Sequence, residues 1–202
     1  MPELPEVEAV RRVLGPQIHG LMIDKVMVNR PEVVAHPGSD AFCKRLVGQT
    51  IDRMERRGKY LLMRLNSSDR VVIHLRMTGC LLYTPADLPQ EKHTHITFQL
   101  HNGKELRFFD PRRFGRLWLI ASGEADPYSG IEKLGKEPFD PDLCAEYLRA
   151  RLGNRKKAIK ECLLEQGLIA GIGNIYSDEI LFAAKIYPAR PAKALTEQEW
   201  TR

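Results

Sequence analysis

The chain has 202 residues, enough for one large domain or two modest domains with hydrophobic cores of their own. Its formal charge of +5 and pI of about 9.1 favour acidic partners only mildly, so the placement of the basic residues matters more than their number. The absence of an apolar run of about 18 residues and of a basic-then-apolar leader argues against a membrane-spanning or secreted protein. The four cysteines are scattered without a C-x2-C pair, so we expect free thiols in a reducing cytoplasm rather than disulfides or zinc ligands; they are Cys43, Cys80, Cys144 and Cys162.

The first eight residues allow two interpretations. If Met1 is removed, the chain begins with the secondary amine of Pro2, and an α-amino group has an ordinary pKa near ~8. Pro5 suits the first turn of a helix, whose positive end would favour the unprotonated amine. Glu3 and Glu6 fall one turn apart beside that amine, as a proton donor and acceptor would. Acidic residues are also common in ordinary first turns, and these residues alone favour that simpler interpretation.

The next 100 residues have the pattern of a β-protein. Met22 to Val28 alternates like a strand, and Ser39 is expected to cap a short helix. Asn102-Gly103 between two alternating segments indicates a two-residue hairpin. Further strands are expected at Thr50–Glu55, Lys59–Leu65, Val71–Arg76, Cys80–Thr84, Thr94–His101, Lys104–Phe109 and Arg116–Ile120. Seven or eight short antiparallel strands predict an α+β fold, in which the first helix packs on a β-sandwich.

The rest of the chain is expected to be helical. The pattern divides the sequence into a β-sandwich domain at 1–121, a Gly-, Pro- and acid-rich linker at 122–140 and an all-α domain at 141–202. Three helices are expected to begin at Asp140-Pro141, near Ala158 and at Asn174 as a cap. Thr196 to Glu199 is a capping box that opens a fourth helix, yet the sequence ends at Arg202. We therefore interpret the chain as truncated at its C-terminus.

Two loops between predicted strands carry candidate functional side chains. Gly58 permits a tight turn before Lys59, which could contact a phosphate, donate a proton or simply be a solvated lysine. Pro111 and Gly115 bracket a loop that presents Arg112 and Phe114, which suit phosphate or base contacts and insertion between bases, with Met77 as an apolar partner. Alternatively, Phe114 and Met77 plug the end of the sandwich and the arginines pair with Asp110. The residues alone do not separate these two interpretations.

The helical part carries two anion-binding patterns. Lys156, Lys157 and Lys160 lie near the start of one predicted helix, and the glycines before Asn174 expose backbone N–H groups at the start of another. Positive charge at a helix N-terminus is unfavourable without an anion, which favours phosphate binding over a solvated face. His93 and His95 lack further ligands for a metal, so a phosphate contact by His93 is expected instead of zinc.

Six motifs occur together and in order across nearly the whole chain. The motifs are Pro2 to Glu8, Arg56 to Lys59, His74 to Met77, Glu91 to His95, Asp110 to Gly115 and Gly171 to Tyr176. With them, the sequence resembles the formamidopyrimidine-DNA glycosylases, bacterial enzymes that repair oxidised purines. The resemblance implies a β-sandwich followed by a helix-two-turn-helix domain, a module that non-enzymatic nucleic-acid binders also contain.

The resemblance also assigns roles to the catalytic candidates. Pro2 is similar to the nucleophile that attacks C1′ of a flipped, damaged nucleotide and forms a Schiff base. Glu3 resembles the residue that protonates the sugar ring oxygen, and Glu6 the residue that holds the amine and its water. Lys59 matches the proton donor of β-elimination, which δ-elimination then follows. The implied activity is that of a base-excision repair glycosylase with lyase activity at abasic sites.

The expected partner is damaged double-stranded DNA, bound by a monomer in the bacterial cytoplasm. The resemblance assigns Met77, Arg112 and Phe114 to the void left by the flipped base, and it assigns phosphate contacts to His93, Arg112, Lys156, Lys160 and Asn174. The family's zinc ribbon is absent, so we expect no cofactor within this chain and one zinc ion in the full-length family. Two alternatives stay open: an endonuclease VIII-type glycosylase for oxidised pyrimidines, and a non-catalytic fragment that binds damaged DNA.

Overall fold

The computed structural model describes residues 2–202. Contacts within the chain group into two units, Met1–Glu132 and Lys133–Arg202, and the division falls inside the segment 122–140 that the sequence assigns to a linker. None of the helices in residues 2–202 is both long and apolar enough to span a membrane.

The first unit begins with helix α1, Leu4–Ile18. Pro5 lies in its first turn, as the sequence predicts, and the Glu6 carboxylate accepts the backbone N–H of Glu3 at 2.8 Å. This bond satisfies one of the donors that a helix leaves open at its N-terminus. Val7, Leu14 and Ile18 recur at helical spacing and are buried, so α1 packs one apolar face against the strands that follow.

Nine strands and a second helix complete the first unit. They are β1 Ile23–Val28, β2 Val34–His36, α2 Ser39–Leu46, β3 Ile51–Arg57, β4 Tyr60–Leu65, β5 Arg70–His74, β6 Cys80–Pro85, β7 Thr94–Leu100, β8 Lys104–Phe109 and β9 Arg116–Ile120. One sheet has the order β1-β7-β8-β6 and the other the order β2-β9-β5-β4-β3. Inward-facing residues of both sheets join those of α1 and α2 in one core, for example Phe42, Ile73, Phe98 and Leu117. The predicted α+β sandwich is therefore confirmed.

Three details of the first unit differ from the sequence expectations. Strand β2 was not predicted, and it pairs parallel to β9, whereas the other strand pairs are antiparallel. Three residues are too few to show an alternating pattern, which explains the omission. Ser39 is the first residue of α2 and not its cap; Gly38 occupies that position at a φ of 121°. The hairpin at Asn102-Gly103 has a three-residue connection, in which Gly103 adopts a φ of 77°.

The second unit is helical, with α3 Ala145–Leu152, α4 Ile159–Leu163, α5 Asn174–Ala184 and α6 Glu197–Trp200. Short 3-10 turns occur in the first unit at Pro31–Val33, across the division at Ile131–Lys133 and in the second unit at Ala192–Ala194. A separate core fills the second unit, with Leu152, Cys162, Ile169 and Leu181 among its buried residues. The capping box at Thr196 is confirmed, because its side chain accepts the N–H of Glu199.

Two other helix starts in the second unit were predicted wrongly. Asp140 and Pro141 do not begin a helix, since α3 starts at Ala145 after Cys144. The Asp140 carboxylate instead accepts the N–H of Asp142 at 2.9 Å, which makes a turn of the kind that aspartate side chains often form. Asn174 is the first residue of α5, and Gly173 is the cap.

Candidate active site and nucleic-acid interface

The connections at one end of the sandwich carry most of the predicted site. Pairing of Tyr60 with His74, and of His74 with Arg116, aligns the start of β4, the end of β5 and the start of β9. Phe109 pairs with both Cys80 and Thr94 at the corresponding end of the other sheet. The β5–β6 connection, residues 75–79, and the β8–β9 connection, residues 110–115, both pass from one sheet to the other at this end, as does the β1–β2 connection, residues 29–33. This end therefore presents Lys59, Met77, His93, Arg112 and Phe114.

Glu3 and Lys59 form a buried pair of ionisable groups where α1 begins. Glu3 is 3% exposed and Lys59 is 6% exposed. Burial lowers the pKa of Lys59, and the negative charge of Glu3 opposes that shift. A lysine with a lowered pKa exchanges its proton more readily at neutral pH, which suits transfer of a proton to or from a reacting group. The structure thus brings together two of the four predicted catalytic residues.

Pro2 and Glu6 flank this pair in the sequence. Pro2 is half-buried next to Glu3, and the Glu6 carboxylate holds the N–H of Glu3, as described above. Removal of Met1, which the proposed amine requires, concerns a residue outside the described range. The catalytic roles of Pro2 and Glu6 therefore stay predictions.

His74 joins the site although the sequence analysis did not single it out as a site residue. Its Nδ1 accepts the backbone N–H of Arg76 at 3.0 Å, and its ring packs edge-on against Tyr60 at 4.5 Å between centroids. Burial, together with the positive charges of Arg76 and Lys59, lowers the pKa of His74 to about 3. The folded protein therefore holds a neutral imidazole here. The sequence shows only a histidine after three apolar strand residues, and that pattern does not distinguish a buried histidine at the site from an ordinary core histidine.

His74→Asn is expected to reduce the acid sensitivity of folding, because an asparagine oxygen can replace Nδ1 as acceptor without titrating. Unfolded His74 binds a proton below pH 6.5 while folded His74 stays neutral, so stability falls as the pH drops from 6.5 towards 3. One such proton contributes a slope of up to about 1.4 kcal/mol per pH unit. Urea unfolding of both proteins at pH 5.5, 6 and 7 measures this slope. Glu8 contributes little there, because its pKa is 4.5 when unfolded and about 2 when folded. An unchanged slope in His74→Asn would contradict this account.

The β5–β6 and β8–β9 connections expose the proposed void-filling side chains. Met77 is 43% exposed and Phe114 is 48% exposed, so the interpretation in which they plug the end of the sandwich is wrong. The Arg112 guanidinium lies over the Phe114 ring, 4.9 Å from its centroid, an arrangement that cation–π attraction stabilises. Arg113 reaches its turn position with a φ of 63°. An arginine and an aromatic ring are thus presented together to solvent.

The carboxylate of Asp110 does not pair with the arginines of its loop, contrary to the alternative interpretation. It accepts backbone N–H groups and a hydroxyl instead: Gly115 N at 2.8 Å, Arg112 N at 3.2 Å and the Thr78 side chain. Gly115 is required by close packing, because an added Cβ would lie 2.5 Å from Phe108 Cζ and 3.2 Å from Asp110 Oδ2. Neither the Thr78 contact nor this packing could be read from the sequence.

His93 and His95 do not form a metal site. His95 is buried, and its Nε2 lies 2.7 Å from the Asp110 carbonyl oxygen. His93 is half-buried, with its ring 6.1 Å from that of Phe109, and its predicted phosphate contact stays a prediction. Across residues 2–202, no group of three or more His, Cys, Asp or Glu side chains is arranged to hold a metal ion. The zinc implied for the full-length family therefore finds no fitting ligands in this part of the chain.

The basic residues of the second unit are largely compensated by acidic side chains. Lys160 pairs with Asp178 at 2.7 Å, and Lys157 pairs with Glu165 at 2.9 Å. This positive charge therefore needs no external anion to offset it, and the expectation that it would need one was wrong. Lys156 is exposed and makes no ion pair with any residue from 2 to 202, which leaves its charge available. Phosphate contacts by Lys156, Lys160 and Asn174 stay predictions.

The glycine turn before α5 is held by a side chain that the sequence analysis missed. Gln166 Oε1 accepts the N–H of Gly171 at 3.0 Å, and its Nε2 donates to the carbonyl oxygens of Ile172 at 2.7 Å and Leu164 at 3.0 Å. Gly171 adopts a φ of 94°, which favours glycine. The turn therefore has a fixed geometry where it delivers the exposed Asn174.

Comparison with known proteins identifies the family of both units. The family model of the formamidopyrimidine-DNA glycosylase N-terminal domain matches residues 1–117, and that of the H2TH domain matches residues 134–202. The formamidopyrimidine-DNA glycosylase of Moorella thermoacetica is 48% identical over 202 residues, which are 100% of this chain and 74% of that protein. The same enzyme of Desulforamulus reducens is 49% identical over 200 residues, covering 98% of this chain and 72% of the relative.

Solved structures give the same result. The complex of Lactococcus lactis Fpg with DNA containing an abasic site superposes with a TM-score of 0.92 at 40% identity, covering 98% of this chain and 72% of that one. The complex of that protein with Fapy-dG-containing DNA has the same TM-score and identity and covers 98% and 74%. With two family models that together match most of its length, and relatives nearly half identical along all of it, the chain belongs to the formamidopyrimidine-DNA glycosylase family.

Proposed function

We propose that this chain excises oxidised purines, such as 8-oxoguanine and formamidopyrimidines, from damaged double-stranded DNA and then cleaves the strand at the resulting abasic site. The observation that carries the proposal is the buried Glu3–Lys59 pair beside Pro2 in the same unit as the exposed Arg112 and Phe114. Pro2, Glu3 and Lys59 can attack a sugar and transfer protons to and from it. Arg112 and Phe114 can occupy the space that a flipped nucleotide leaves. The structural neighbours from Lactococcus lactis were solved with abasic-site and Fapy-dG DNA, which supports this choice of substrate.

The proposed chemistry begins at the N-terminal amine. The lone pair of the Pro2 nitrogen attacks C1′ of the damaged nucleotide, and the bond from C1′ to the base breaks with its electrons leaving on the base. As the base leaves, it takes up the proton that the attacking nitrogen carried, which returns the lone pair to that nitrogen, and Glu3 gives a proton to the sugar ring oxygen in the same step. The ring then opens, and the nitrogen lone pair forms the double bond of an iminium ion. Because Pro2 is a secondary amine, this iminium carries a positive charge and draws electrons from the sugar.

Strand cleavage follows from that electron demand. Loss of a proton from C2′ expels the 3′ phosphate, and a second elimination expels the 5′ phosphate. Lys59, with its lowered pKa, would carry protons between these steps. Glu6 would orient the amine through the first turn of α1, where its carboxylate already holds the N–H of Glu3.

The same proposal assigns DNA contacts to the remaining residues. Met77, Arg112 and Phe114 would fill the void in the duplex, with Arg112 facing the orphaned base. Contacts to phosphates are assigned to His93, Arg112, Lys156, Lys160 and Asn174. Phosphate contacts position a protein on DNA without reading its sequence, which suits an enzyme that must examine any site.

Borohydride trapping tests the proposal. The 202-residue chain is expected to form a covalent complex with a duplex that contains 8-oxoguanine opposite cytosine, and Pro2→Gly is expected to reduce trapping sharply. The mass of the N-terminal peptide should show that Met1 is absent. Trapping on oxidised pyrimidines alone would favour the endonuclease VIII-type alternative. Binding of the damaged duplex without trapping would favour the non-catalytic one.

A further inference from the structure

The Asp110 carboxylate is completely buried at the end of β8, where it follows the last strand residue. A buried carboxylate is costly unless hydrogen-bond donors surround it. Here one oxygen, Oδ1, receives the Thr78 hydroxyl and the Arg112 N–H, and Oδ2 receives the Gly115 N–H. Its solvation is thus replaced by three donors of fixed position.

These donors come from two of the connections that pass between the sheets. Thr78 belongs to the β5–β6 connection, whereas Arg112 and Gly115 belong to the β8–β9 connection. The Thr78 Oγ1 atom also accepts the backbone N–H of Arg112 at 3.3 Å, so the hydroxyl contacts both the Asp110 carboxylate and the β8–β9 connection. Met77, which precedes Thr78, is therefore linked through two hydrogen bonds to the loop that presents Arg112 and Phe114.

The backbone of Asp110 is also held in place, by hydrogen bonds to residues around the start of β7. The Asp110 N–H donates to the carbonyl oxygen of His93 at 3.0 Å, and the Asp110 carbonyl oxygen lies 2.7 Å from His95 Nε2. On the β5–β6 side, the Gly79 N–H donates to the Leu75 carbonyl oxygen at 3.0 Å and closes that connection into a tight turn. The carboxylate thus joins two short, braced loops.

We propose that Asp110 is a positioning residue that, through Thr78, holds Met77, Arg112 and Phe114 as one rigid wedge. This inference rests on the proposed function, since it concerns how the void in the duplex is filled. Three side chains that enter a duplex together must hold their relative positions, and any freedom they have beforehand is lost on insertion. The shared carboxylate removes that freedom before DNA binds.

Thr78→Val tests the link, because valine keeps the shape of threonine and removes the hydroxyl. A hydrogen bond to a charged group contributes enough to predict a loss of roughly 10- to 100-fold in the rate of trapping on duplex 8-oxoguanine. Thr78→Ser keeps the hydroxyl and should restore most of that rate. Asp110→Asn, which replaces one acceptor oxygen by a donor, should reproduce the defect if it folds; the Thr78 pair carries the test if it does not.

Two further measurements separate positioning from a general loss of structure. A single-stranded oligonucleotide with a preformed abasic site has no void between paired bases, so wild type and Thr78→Val should trap it equally. The fluorescence of a 2-aminopurine base placed opposite the lesion should increase less on binding of Thr78→Val than on binding of the wild type, because the variant's wedge unstacks that base less completely. In a protein that already carries Met77→Ala, Thr78→Val should reduce the rate of trapping on the duplex much less than it does in the wild type.

The possible failures are distinguishable. Equal losses on duplex and single-stranded substrates, no loss on either, or failure of Thr78→Ser to restore the rate would overturn the positioning role and leave the proposed function intact. A wild-type chain that traps neither substrate would overturn the proposed function itself, and this inference with it.

Discussion

Glu3→Gln is expected to slow release of the damaged base by about 10²- to 10⁴-fold, the usual contribution of a general acid or base. Glutamine has nearly the same shape as glutamate but has no acidic proton to give to the sugar ring oxygen. Glu3 is 3% exposed, so water cannot easily take over that role. The substitution also removes the negative charge that opposes the lowering of the Lys59 pKa, which should leave Lys59 protonated less often.

Single-turnover release of 8-oxoguanine from a duplex measures this effect. A preformed abasic sugar has already lost its base and opens to its aldehyde without an enzymatic acid, so borohydride trapping at such a site should be much less affected by Glu3→Gln. Glu32→Gln serves as a control, because this side chain is exposed in the same unit and outside the site. Equal losses on both substrates would show that the substitution damages the site as a whole, against the specific role in base release.

Arg107→Leu is expected to lower the free energy of unfolding by about 3–5 kcal/mol, because it leaves a buried carboxylate without its partner. The Arg107 Nε and the Glu105 Oε2 are 2.7 Å apart, and the two side chains are 2% and 3% exposed. The guanidinium also donates to the carbonyl oxygens of Leu88 at 2.6 Å and Pro89 at 3.2 Å. Those residues precede His93, so the arginine stabilises the approach to the site as well as the sheet.

Urea unfolding compares this variant with a matched pair. Arg53 and Glu55 have the same two-residue spacing on a strand and lie 2.8 Å apart, but their side chains are 59% and 34% exposed. Arg53→Leu should therefore shift the urea midpoint far less, since water replaces the lost partner. A similar shift of the urea midpoint in Arg107→Leu and Arg53→Leu would show that burial does not determine how much stability is lost when an ion pair is broken. Replacing Glu105 and Arg107 together by apolar residues should recover much of the stability.

The sequence predicted the fold well where patterns are long. Alternation over five to seven residues located strands such as Lys104–Phe109 and Arg116–Ile120 at their observed bounds. It failed where an element is short or where several polar residues compete for one helix end. Val34–His36 is too short to alternate, and Asp140 forms a turn with its own backbone neighbours instead of capping α3.

The site was predictable as a set of residue types but not as a set of contacts. A lysine after a glycine turn, and an arginine near a phenylalanine, are visible in the sequence and pointed to Lys59, Arg112 and Phe114. The link between Thr78 and Asp110 joins residues 32 positions apart, and no local pattern reports it. The ion pair of Lys160 with Asp178 could not be predicted for the same reason. Because this pair offsets the charge of Lys160, no external anion is needed to do so.

The topology also gives the two ends of the sandwich unequal freedom to change. The connections at residues 66–69 and 101–103 each join neighbours within one sheet, at the end away from Lys59 and His74. An insertion there lengthens a surface hairpin and leaves the site untouched. The β5–β6 and β8–β9 connections, by contrast, also tie one sheet to the other, so lengthening either would loosen the sandwich and separate Met77 from Phe114. A fluorescent reporter for following repair is therefore best placed between Asn102 and Gly103.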